Sequence, residues 1–170
     1  ISCIFILSSM IINAQQYISV DTSTFTADQL VKDIFIGAQN ASCITISNVT
    51  VKGGRDYQGN PVSYGYFEKG TLPFNIDKGI ILSTGSAAQA PGPNTNVLSE
   101  GGYDWVGDPD LVTAFQDPQY INATSLEFDF VAYNTTGISF QYMLLSEEYQ
   151  TSGCNYFDSF AFLIKEAGSS

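Results

Sequence analysis

Two stretches late in the chain, "SLEFDFVAY" (125–133) and "ISFQYMLLSEEY" (138–149), alternate apolar and polar residues with a period of two. Only an extended strand with one packed face puts every second side chain on the same side. Leu126, Phe128 and Phe130 oppose Glu127, Asp129 and Val131 in the first stretch, and Ile138, Phe140, Tyr142 and Leu144 share a face in the second. The "TTG" between them is a turn, so the two read as antiparallel neighbours. A third run, "DSFAFLI" (158–164), sets Phe160 and Phe162 against Ala161 and Leu163. With 170 residues, 44% of them hydrophobic, the chain holds enough apolar surface for one core and therefore one main domain.

Upstream of these strands the pattern changes. "STFTADQLVKDIFIGAQN" (23–40) reads as a short helix: Thr26 caps it, Gln29 completes a capping box, Phe25 staples onto Leu30, and Gly37 stops it. Leu30, Ile34 and Val31 form its buried stripe. "ASCITISNVTVKGG" (41–54) is strand-like, but Ile44, Ile46, Val49 and Val51 break strict alternation, as either a bulge or a strand that changes exposure would make them do. "YGYFEKG" (64–70) reads as an edge strand, and "FNIDKGIILSTG" (74–85) holds another strand near Ile80 to Leu82. Residues 83–107 form a long Gly-, Pro-, Asn- and Ser-rich loop, and loops of that length usually carry a task. The chain is thus expected to be all-β: an antiparallel, jelly-roll-like β-sandwich with one short N-terminal helix. Because "KEAGSS" follows directly on a strong strand, strands C-terminal to it are expected to be missing.

Charge narrows the partners. The formal net charge is −11, from 17 acids against 6 bases, and no Lys or Arg occurs between Lys78 and Lys165. Such a surface repels phosphate backbones and anionic membranes, so neither nucleic acid nor membrane insertion of the mature domain is expected. Residues 1–15, beginning "ISCIFILSSMII", read as the apolar remnant of a signal peptide, too short to span a bilayer, with residues 16–170 as the domain. A buried N-terminal strand is the alternative. In an exported chain that has shed Cys3, Cys43 and Cys154 are candidates for one disulfide, or else two separate thiols.

There is no histidine in the chain, which removes imidazole bases, the Ser-His-Asp triad and most zinc hydrolase sites. Neither a P-loop nor a dinucleotide fingerprint is present. The acids suit a hard cation better: Asp104, Asp108 and Asp110 in "YDWVGDPDLVTAF", with Glu147, Glu148 and Asp158 from a remote segment, could gather oxygens for Ca2+. The competing reading is a wet acidic surface. Trp105, Tyr149 and Tyr156 beside those acids are candidates for contact with a ligand, while a Trp in a loop also packs over sheet ends. Glu127 and Asp129 share a strand face, which leaves open a hydrolase using paired carboxylates. Asn40, Asn48, Asn122 and Asn134 each begin an N-glycosylation acceptor pattern.

In order along the chain, "LVKDIFIGAQNASCITISNVTVKG", "YGYFEKG", "GIILSTGSAAQAPGPN", "GDPDL", "SLEFDFVAY" and "ISFQYMLLSEEYQTSGCNYFDSFAFLI" resemble the choice-of-anchor L domain of exported bacterial proteins over roughly 24–164. Within the resemblance, Cys43 and Cys154 match its two cysteines, and Ser146, Glu147, Glu148 and Tyr149 match its most distinctive block. Asp108, Asp110 and Leu111 fall on its acidic "DxDL" block, and Tyr156, Asp158, Phe160, Ala161 and Phe162 on the following region. Phe157 stands where the family tends to carry Asn. The resemblance implies a secreted or cell-surface β-domain of Bacteroidota-like bacteria, often linked to type IX secretion. The expected role is therefore non-enzymatic adhesion or extracellular recognition, of a polysaccharide or a surface protein. A structural spacer for a downstream effector domain is a further alternative.

Overall fold

A computed structural model describes residues 16–56, 58–93, 105–116, 120–133, 137–146 and 158–166. The helix forms where the capping signals place it. Thr26 accepts from the Gln29 backbone while the Gln29 side chain returns to the Thr26 N–H, at 3.3 and 3.0 Å. Helix α1 (Ala27–Gln29) runs on as a wider, π-type helical segment, Leu30–Gly37. Gly37 ends it at φ 78°, a left-handed value that glycine adopts without a Cβ penalty. Leu30 and Val31 are fully buried, whereas Ile34 is only half-buried.

Two antiparallel sheets each touch this helical segment. One has three strands in the order β1 (Ser19–Asp21), β3 (Tyr64–Glu68), β4 (Lys78–Leu82). The other pairs β2 (Ile44–Lys52) with β5 (Ser125–Ala132). The helical segment touches β2, β3 and β4, so it links the two sheets. Leu30, Val31, Ile46, Phe67 and Ala87 make the buried apolar core among the described residues.

Of the two causes open for the broken alternation of β2, the structure has the bulge. Ser47 pairs with Asp129 but Thr50 with Glu127, so β2 carries one extra residue against β5. Asn48 takes that position at φ 51°, a left-handed value in which Asn is enriched, and its amide donates across to Asp129 at 2.6 Å. The bulge reverses parity: Ile44 and Ile46 before it and Val49 and Val51 after it all face inward. Opposite them stand Leu126, Phe128 and Phe130, the inward set of β5.

Three placements differ from the sequence reading. Strand β3 is the centre of its sheet, with β1 covering the side expected to be open. The partner of β5 is β2 and not 137–146, which carries no strand ladder among its described residues. A second helix, α2 (Pro109–Phe115), follows the long loop. Even so, 137–146 and 158–166 meet through their rings. Phe140 lies 4.2 Å from Phe162 and Tyr142 5.5 Å from Phe160, centre to centre, the order of two antiparallel segments. Phe35 contacts both Phe128 and Phe140, joining these rings to the helix and to β5.

Candidate functional site

The ends of four strands converge on one cluster of short polar contacts. The Ser63 hydroxyl, fully buried just before β3, accepts from the Gly54 N–H at 2.9 Å. Just past β4, Ser83 donates its N–H to the Ser63 carbonyl, and its own carbonyl accepts from Thr124 at 2.7 Å. Each bond satisfies a backbone group where a strand stops, which is why this end is well defined.

Trp105 is fixed onto that cluster. Its indole N–H donates to the Ala123 carbonyl at 2.7 Å, and its backbone carbonyl accepts from the Asn122 N–H. The six-membered ring lies over Gly54 so closely that a Cβ there would stand 2.6 Å from it. Only glycine permits that approach. Asn122 turns the chain at φ 56° to reach this arrangement. The indole is therefore a wedge between two loops, with its single donor already used.

Asp108 is 8% exposed and caps α2: its Oδ1 accepts from the Asp110 N–H at 2.9 Å, with Pro109 in the first turn. Asp110 is exposed in that first turn. Both acids act electrostatically on Lys52, whose ammonium bonds Glu127 at 3.1 Å. The Glu127 hydrogen bond and charge, then Asp108 and Asp110, push the lysine above its ordinary value. Asp158 reaches the same end of the fold, accepting from Thr84 at 3.1 Å beside a Tyr120–Ser159 hydroxyl contact of 3.0 Å. The loops expected to supply acids, around 105–110 and 158, are thus both tied to the strand-end cluster.

The roles of the individual acids are more structural than a bare ligand count implies. Asp108 spends an oxygen on the helix and Asp158 one on a threonine. Among the described residues, no group of three or more Asp, Glu, Cys or His side chains is placed to hold one metal ion. Asp104, Glu147, Glu148, Tyr149, Tyr156 and Cys154 lie outside the described residues. Glu127 and Asp129, the pair that shares a strand face, are each bonded: Glu127 to Lys52, and Asp129 to the Asn48 amide at 2.6 Å. Cys43 is an exposed free thiol at the turn into β2, so the expected bridge to Cys154 is not formed in this structure. Its Sγ lies 3.8 Å from the Ser42 hydroxyl.

The structural roles of four residues escaped the sequence reading. Asn48 and Asn122 were legible only as glycosylation patterns, yet each holds a left-handed position, and Asn is enriched there. Ser63 gave no sequence signal that could have placed it. For Asp108 a signal did exist: Asp followed by Pro is a good helix start.

Two shallow grooves lie on the surface of the described residues. One, about 190 Å³, is lined mainly by Tyr17, Leu72, Pro73, Phe74, Gly92 and Leu145. The other, about 350 Å³, lies between Asn75 and Ile76 on one side and 140–143 on the other. No helix among the described residues is long and apolar enough to cross a membrane. The choice-of-anchor L domain family model matches residues 19–170. No curated protein and no solved structure matches the chain.

Proposed function

Since the chain belongs to the choice-of-anchor L domain family, whose members are surface or secreted proteins, we propose that it is an extracellular recognition module. In this reading it adheres to a polysaccharide or a surface protein and performs no reaction of its own. The observation that carries the proposal is the strand-end cluster. Loops distant in sequence are pinned there by Trp105, Ser83, Thr84 and Thr124, leaving Asp110 and Asp158 exposed. Loops held on a stiff sheet are where binding surfaces are usually built.

The two sheets are read as opposing layers of a jelly-roll-like sandwich, with 137–146 and 158–166 as incomplete strands of it. Export by way of residues 1–15 and a type IX-linked route to the surface belong to the same reading. So does calcium, as a cation that steadies the acidic loops and so favours the folded state by mass action. The test is binding of the complete mature protein to extracellular matrix preparations and to immobilised glycans, with and without calcium. Saturable binding to either supports the proposal, and no binding to any of them under either condition overturns it.

A further inference from the structure

We draw no further inference here: the strongest candidate, the exposed apolar face that residues 138–145 and 160–164 present around the groove beside Tyr142, carries nothing because nothing in the structure shows what covers it.

Discussion

Replacing Asp108 separates a structural carboxylate from a metal-binding one. The residue is 8% exposed, and its Oδ1 takes the Asp110 N–H at 2.9 Å at the start of α2. Asp108→Ala removes the cap and leaves that N–H without its partner. Loss of an N-cap costs typically ~1 kcal/mol, within about 0.5–2. For a domain of this size that corresponds to a fall of about 2–4 °C in melting temperature per kcal/mol. Asp108→Asn keeps an acceptor oxygen in the same place and is as good a cap, so it should lie within about 0.5 kcal/mol of wild type. The assay is thermal and denaturant unfolding of wild type and both variants, each with chelator and with excess calcium. If capping is the role, Ala loses stability, Asn does not, and calcium leaves the order unchanged. A loss in Asn equal to that in Ala, appearing only with calcium present, would refute the argument and make the carboxylate a cation ligand.

Gly54→Ala drives a methyl group into the Trp105 ring and should cost about 1–3 kcal/mol, as overpacking does. Because Trp105 is the sole tryptophan, its emission reports the displacement directly as a red shift, and unchanged emission would deny the contact. Asn48→Gly should be tolerated at the bulge, while Asn48→Val should destabilise by roughly 1–2 kcal/mol, measured by urea unfolding. The Asp21 carboxyl is held well below its ordinary range by hydrogen bonds from Thr24 and Ser23, and that of Asp56 by Asn60, then Gln58 and Gly59. Both pKa values are lower folded than unfolded, so the unfolded chain takes up protons first. Their contribution is present above about pH 4 and is lost as pH falls through the folded values; acid melts that stay flat from pH 5 to 2 would contradict it. Cys43 should react with a thiol reagent in the native protein, with the label mapped by peptide mass. Protection until reduction would instead show a bridge.

Much of the local structure was readable because its causes are local. The capping box needs only Thr26 and Gln29, three residues apart, and the stop needs only Gly37. The irregular spacing of Ile44, Ile46, Val49 and Val51 left two readings, a bulge or a change of exposure, because side-chain parity is fixed by counting residues; the pairing with β5 decided for the bulge. The candidate site was less legible. Acid-rich segments identify themselves by composition, but whether a carboxylate caps a helix, bonds a hydroxyl or meets a cation depends on what stands next to it in space.

By itself the sequence determined which faces of the strands are apolar, where the helix begins and ends, the acidic character of the surface and the family. Only the tertiary structure decided that β5 lies beside β2, that β3 is central and that the helix touches both sheets. The physical reason is that alternation tells a strand which side to bury but not which neighbour to choose. That choice belongs to contacts between residues far apart in the chain, such as Asn48 with Asp129 and Trp105 with Gly54.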